Sequence, residues 1–248
     1  MPAQVQIAVV CVAGSFLCGS VPWALLIGRW AKGVDVREVG SGNIGATNAF
    51  RALGGWLGSL VLFLDIAKGM VPMLATLWLT WSWTGPWHEF SLVLVALAAM
   101  LGHTYSPWVG FKGGKGFATG AGAVIVLTPW SVLALLPIFL VIAIWTRWIS
   151  LGSIVSATLY PFFTLFFLYA APLRWQGPVT VLFAFIAGGL VVWRHRTNIR
   201  RIIDGTEARV TWGVFKPDLP AAVAPGEHLH MGDRSPGDTT DHTNGEDA

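Results

Sequence analysis

Apolar stretches alternate with short polar connectors along most of the chain, over residues 4–28, 56–81, 90–106, 117–146, 150–170 and 178–193. Most are close to the roughly 20 residues one helix needs to cross hydrocarbon. The stretch 117–146 is too long for one crossing and carries Thr128-Pro129 in its middle, where proline cannot donate to a helix ladder. It reads either as one kinked helix or as two, 117–127 and 130–146.

Charge chooses between these. With two helices the chain crosses seven times, and an external N-terminus gathers Arg29, Lys32, Arg37, Arg51, Lys112, Lys115, Arg147 and the basic segment Arg194 to Lys216 on the inside. Only Arg174 is left outside, as the positive-inside tendency requires. A single crossing would put Arg194, Arg196, Arg200 and Arg201 on the wrong side. The expectation is an all-α, polytopic integral membrane protein: seven transmembrane helices in a domain of residues 1–216, with the N-terminus outside and the C-terminus cytoplasmic. Beyond Pro217 the chain turns to Pro, Gly, Asp, Thr and His, which cannot bury enough apolar area to offset chain entropy. Residues 217–248 are therefore predicted to be a disordered cytoplasmic tail.

Composition agrees: 54% of the 248 residues are hydrophobic and 12% charged, too little polar surface for an ordinary soluble domain. The start Met-Pro-Ala-Gln lacks the basic patch of a signal peptide, so the first run reads as a permanent span. Cys11 and Cys18, seven residues apart on one helix, stand about 10 Å from each other, too far for a disulfide. The tail histidines His228, His230 and His242 have no fold to orient them, so no metal site is predicted.

The inside loops carry chemistry that connectors do not need. The first runs Ser41-Gly42-Asn43-Ile44-Gly45-Ala46-Thr47-Asn48 and then Arg51, joining glycines, amides and hydroxyls to a cation able to grip phosphate with a bidentate fork. Thr47 or Asn48 would also serve as a helix N-cap. The second holds His103 and then Lys112-Gly113-Gly114-Lys115-Gly116 before a helix start and Thr119. Successive glycine N–H groups flanked by lysines suit a phosphate. The pattern is not a Walker A loop, because Gly116 follows Lys115 where Ser or Thr is required. The third places Ser150 and Ser153 on one face with Arg147, which also suits a cap. In the fourth, Arg194 to Arg201, the arginines suit anionic lipid headgroups, whereas His195 and Asn198, three apart on one face, add nothing to anchoring. Within the second helix, Asp65 and Lys68 are spaced to pair and read as structural, with help in placing an anionic substrate as the alternative.

These loops resemble the signature segments of the bacterial acyl-phosphate:glycerol-3-phosphate acyltransferases, the PlsY family. SGNIGATNAFR (41–51), GHTYSPWVGFKGGKGFAT (102–119) and HRTNIRRIIDGTE (195–207) match in order and spacing, and the likeness spans about 10–210. It departs in the acidic tail, the high Trp content and Tyr105-Ser106, where many relatives carry Phe followed by Pro. The resemblance implies transfer of an acyl group from acyl phosphate to glycerol 3-phosphate in the bacterial inner membrane, giving 1-acylglycerol 3-phosphate and phosphate. It implies no cofactor, no direct use of coenzyme A or acyl carrier protein, contact with membrane lipids and no nucleic acid. Carried over residue by residue, Ser41, Arg51, His195 and Asn198 match activity positions, Gly113, Gly114 and Gly116 match a glycerol-3-phosphate loop, and Glu207 matches a position tied to structural integrity. Asn43, Thr47, Asn48, His103, Lys112, Lys115, Thr119 and Ser150 complete the expected phosphate-binding set, and Asp65 and Lys68 the structural one.

An acyl phosphate is already activated, so alignment and oxyanion stabilisation are what an enzyme must add. No Ser-His-Asp arrangement is evident. Direct attack by the glycerol hydroxyl follows, its proton going to His195 or to a substrate phosphate. Two other classes fit the loops, a transporter for a phosphorylated metabolite and a lipid-binding scaffold. Against the transporter, the polar residues cluster at one face instead of the midplane.

Overall fold

The computed structural model describes residues 2–210, and the tail 217–248 lies outside them. Among the described residues the chain forms ten α-helices and no strand. They are α1 (Ala3–Ser20), α2 (Trp23–Lys32), α3 (Ala46–Leu53), α4 (Gly55–Leu79), α5 (Pro86–Thr104), α6 (Phe117–Leu127), α7 (Pro129–Thr146), α8 (Ile149–Ala170), α9 (Pro178–Arg194) and α10 (Arg196–Ile203).

The long apolar run divides at Thr128, whose non-helical backbone ends α6 before Pro129 opens α7. Its hydroxyl bonds the Val124 carbonyl and the Tyr160 hydroxyl, so the break is satisfied inside the protein. The first run divides too: Pro22 separates α1 from α2, a break that hydropathy alone did not register.

Seven crossings are not what helix lengths deliver. Five segments are long and apolar enough to span, Ala3–Lys32, Gly55–Leu79, Pro86–Val109, Pro129–Thr146 and Ile149–Ala170. The helix α9 has 17 residues and meets α10 at a 54° bend. At 11 residues α6 is about 17 Å long, roughly half the hydrocarbon thickness. Its neighbours shield it. A side chain at Gly122 would strike the Ile66 carbonyl of α4, one at Gly69 would strike the Thr119 carbonyl of α6, and Gly120 lies under Met100 of α5.

Helix α1 packs on α5 as closely, with Gly19 on the Ala99 carbonyl and Gly102 on the Phe16 carbonyl. Small residues at such crossings let backbones meet where no hydrophobic driving force separates helix from lipid. The α4–α6–α5 contact positions the site, because it fixes the connector 110–116 between α5 and α6. The end of α5 near Glu89 lies about 21 Å from His103. At that far end Glu89 accepts from the Thr180 N–H and hydroxyl at 2.6 and 2.9 Å, and Arg174 covers Trp81.

Candidate active site

The first connector, 33–45, is built around Asn48. Its Nδ2 donates to the Val36 and Val39 carbonyls at 2.7 and 3.0 Å, while its Oδ1 accepts the Ser41 N–H at 2.9 Å. Asn48 is thus a buried scaffold for the loop. Neither it nor Thr47 caps α3, whose N-cap is Gly45. Asn43 accepts the Gly45 N–H at 2.8 Å, closing a local turn. Arg29 and Arg37 both close on Asp35, at 3.0 and 2.6 Å. Arg51 stays available at the rim, with one long bond to the Ala208 carbonyl at 3.3 Å, and it runs beside Gly40 next to the exposed Ser41.

The glycine connector is tied to the end of α5. The Gly113 N–H donates to the Thr104 carbonyl and the Gly114 N–H to the His103 carbonyl, both at 3.1 Å. Those two amides close the end of α5. The amides with no partner within a helix are the first ones of α6, after Gly116, which takes a left-handed φ of +80°. Arg194, in the segment whose arginines suit lipid headgroups, reaches across and donates to the Gly113 and Gly114 carbonyls at 3.2 and 3.0 Å. Two predicted ligands are buried: His103, against Gly114, is 4% exposed and Thr119 is fully buried. Lys112 is exposed at the edge.

Glu207 is a hub. Its carboxylate accepts from Ser150 at 2.6 Å, Asn198 at 2.7 Å and the Arg201 guanidinium at 2.7 Å. Its carbonyl takes the Trp148 indole N–H at 3.1 Å, and Val210 N–H donates to the Arg147 carbonyl at 2.9 Å. Burial pushes the Glu207 carboxyl up, but those three side-chain donors outweigh it and hold the group below its ordinary value. Ser150 thus gives its hydroxyl proton to Glu207. Arg201 holds that carboxylate through its Nε–H.

The Lys115 ammonium donates to Asn198 Oδ1 and so joins the glycine connector to the hub. Burial lowers Lys115 to about 8; Glu207 opposes the shift and Arg201, Arg51 and Arg194 add to it. Three arginines close enough to depress one lysine mark this end of the bundle as an anion site. His195 sits just past α9 with Nδ1 2.8 Å from the Val191 carbonyl. A carbonyl only accepts, so the neutral ring carries its proton on Nδ1 and leaves Nε2 as an acceptor. Burial, with Lys115 next, lowers its pKa to about 4.

The connectors of α2–α3, α5–α6 and α7–α8 and the segment 194–210 thus meet at one end, bringing Arg51, Lys115, His195 and Asn198 into one region. A family profile described as glycerol-3-phosphate acyltransferase matches residues 9–205. The chain belongs to the PlsY family of glycerol-3-phosphate acyltransferases. It is 46% identical over 206 residues to the glycerol-3-phosphate acyltransferase of Anaeromyxobacter sp. (strain Fw109-5), covering 82% of this chain and 97% of that one. The Geobacter sulfurreducens enzyme is 44% identical, over 79% of this chain and 94% of its own. Among solved structures, PlsY (YgiH), an integral membrane glycerol 3-phosphate acyltransferase in its glycerol 3-phosphate form, is similar at a TM-score of 0.72. It is 38% identical, over 82% of this chain and 96% of that one. Its lysophosphatidic acid form gives 0.69 at the same identity. The chain is an integral membrane acyltransferase of phospholipid synthesis.

Proposed function

We propose that the enzyme transfers a fatty acyl group from acyl phosphate to glycerol 3-phosphate at the cytoplasmic face of a bacterial inner membrane, giving 1-acylglycerol 3-phosphate and inorganic phosphate. Family membership supports the acceptor. The observation that carries the donor is the cationic cluster of Arg51, Lys115, Arg194 and Arg201 at the end of an apolar bundle. Each substrate brings a phosphate, and the acyl chain needs lipid within reach of that charge.

In the reaction, the 1-hydroxyl of glycerol attacks the acyl carbonyl carbon. The bond from that carbon to the bridging oxygen breaks, and the oxygen leaves with phosphate. Arg51 and Lys115 stabilise the charge on the leaving and bound phosphates. Ser41 lies beside Arg51, where its hydroxyl donates to the same anion. His195 Nε2 accepts the attacking hydroxyl and orients it. At a pKa of about 4 it is a weaker base than a phosphate dianion, whose second pKa is about 6, so the proton passes to phosphate.

Basic connectors at the site end support the orientation: Arg29, Lys32, Arg37, Arg51, Lys112, Lys115, Arg147 and Arg194 all lie there. In this reading the N-terminus is outside and the catalytic domain falls within residues 1–216. The test is incubation of purified protein with palmitoyl phosphate and radiolabelled glycerol 3-phosphate. Label linked to the acyl chain is expected. Vesicle uptake of label without product would make the protein a transporter, and neither outcome would make it a scaffold.

A further inference from the structure

His103 belongs to none of the groups that meet at the anion site. It lies below the glycine connector, at the end of α5, with 4% of its surface exposed. On one side its Nδ1 stands 3.8 Å from Asp65 Oδ1, beyond hydrogen-bond reach, and both Nδ1 and Asp65 Oδ2 are buried without a hydrogen-bond partner. Asp65 is itself fixed: Lys68 Nζ lies 2.8 Å from its Oδ1 and also donates to the Val21 carbonyl at 2.8 Å. On the other side the ring fills the space under Gly114. A Cβ built there would fall 2.1 Å from His103 Nε2, and its next two neighbours, at 2.9 and 3.0 Å, are atoms of the same ring. The His103 carbonyl in turn accepts the Gly114 N–H.

The imidazole is thus wedged between a buried ion pair and the loop backbone. We propose that His103 is a positioning residue: braced by Asp65 and Lys68, its ring sets the height and course of Gly113 to Gly116 beneath the bound phosphate without touching it. This rests on the assignment of that loop to glycerol 3-phosphate.

The geometry offers a test with an internal control. Gly114 does not hold a left-handed φ, and the three atoms nearest to an alanine methyl there all belong to the ring. At Gly113 the obstacles are main-chain atoms, the His103 carbonyl oxygen at 2.0 Å and the Thr104 carbonyl oxygen at 2.8 Å, which no side-chain truncation removes. Gly114→Ala is expected to raise the KM for glycerol 3-phosphate about tenfold or more, with kcat changed less than about threefold, because a displaced binding loop weakens ground and transition states alike. Adding His103→Ala vacates the space, so the double variant regains at least about threefold in KM over Gly114→Ala. The same addition gives Gly113→Ala no gain.

Alone, His103→Ala raises KM about tenfold, and His103→Gln, which refills the volume without an imidazole, stays within about threefold of wild type. That pair keeps the inference falsifiable if either glycine variant fails to fold. A double variant weaker than both singles, or His103→Gln as damaged as His103→Ala, overturns the inference in favour of direct contact with phosphate. If Gly114→Ala folds and leaves KM unchanged, the loop assignment falls, and this inference with it.

Discussion

Raising the pH through the titration of Lys115 removes one charge from the anion site and leaves the covalent structure intact. Its ammonium, at about 8, is charged in about nine tenths of molecules at pH 7 and in about one tenth at pH 9. If only the charged form binds glycerol 3-phosphate, KM rises about tenfold between those pH values. That lies at the lower edge of the about 1.5–3 kcal/mol that a charge-assisted hydrogen bond contributes, where 1.4 kcal/mol is about tenfold. The substrate phosphate, with its second pKa at about 6, is already dianionic throughout, and His195 at about 4 does not titrate there.

Stability moves the other way. The folded pKa lies below the unfolded value of about 10.4, so the unfolded chain binds more protons between about 8 and 10.4. Burial of this charge therefore costs up to about 3 kcal/mol below pH 8, and the cost is relieved as the pH rises. Initial rates against glycerol 3-phosphate at pH 7, 8 and 9, with melting temperatures alongside, measure both. Lys115→Arg, which stays charged, is expected to flatten the KM profile, and Lys115→Met to raise KM at every pH. A flat wild-type profile, or an unchanged slope in Lys115→Arg, would refute the reasoning.

Replacing Glu207 with alanine strands Arg201, Ser150 and Asn198 and is expected to cost about 3–5 kcal/mol, read as a melting temperature lower by roughly 10 °C. Because its folded pKa is depressed, the stability Glu207 contributes is present above pH of about 4.5 and is lost as pH falls through the folded value, so Glu207→Gln flattens the acid limb of a melting-temperature profile. Asp65→Asn, which leaves Lys68 buried without its counter-charge, is expected to melt lower than Asp65→Asn with Lys68→Met, a comparison that removes both charges. Truncation after Lys216 should leave kcat/KM within about twofold. The relatives described above match this chain over about 80% of its length and over nearly all of their own, and the family profile ends at residue 205. With Cys11 and Cys18 replaced by alanine, Ser82→Cys should react with an impermeant maleimide from outside right-side-out vesicles and Thr206→Cys only after lysis.

The helices were legible because hydrophobicity is local and additive, and Thr128-Pro129 announced its break through the missing proline donor. Pro22 went unread because it lies within a run that is apolar on both sides. The hydrogen-bond partners of the loop residues were not legible one by one. Asn43 and Asn48 carry the same amide, and nothing in the chain states that Asn48 will meet Val36 and Val39 while Asn43 faces a turn. The glycines signalled close approach correctly, but what approaches Gly113 and Gly114 is the end of α5. Arg194 and Arg201 look identical to lipid-facing arginines until the fold supplies the glycine carbonyls and Glu207. An alternation of small and charged residues announces that a loop is functional; which side chain ends up inside depends on contacts distant in sequence.

Donor choice is the most direct test of the proposed reaction. Purified protein in lipid vesicles, given labelled glycerol 3-phosphate and in turn palmitoyl phosphate, palmitoyl coenzyme A and palmitoyl acyl carrier protein, is assayed for 1-acylglycerol 3-phosphate and inorganic phosphate. One phosphate released per acylated glycerol with palmitoyl phosphate, and no product from either thioester, is the predicted result. Product formed from a thioester, or acylation without phosphate release, would contradict it.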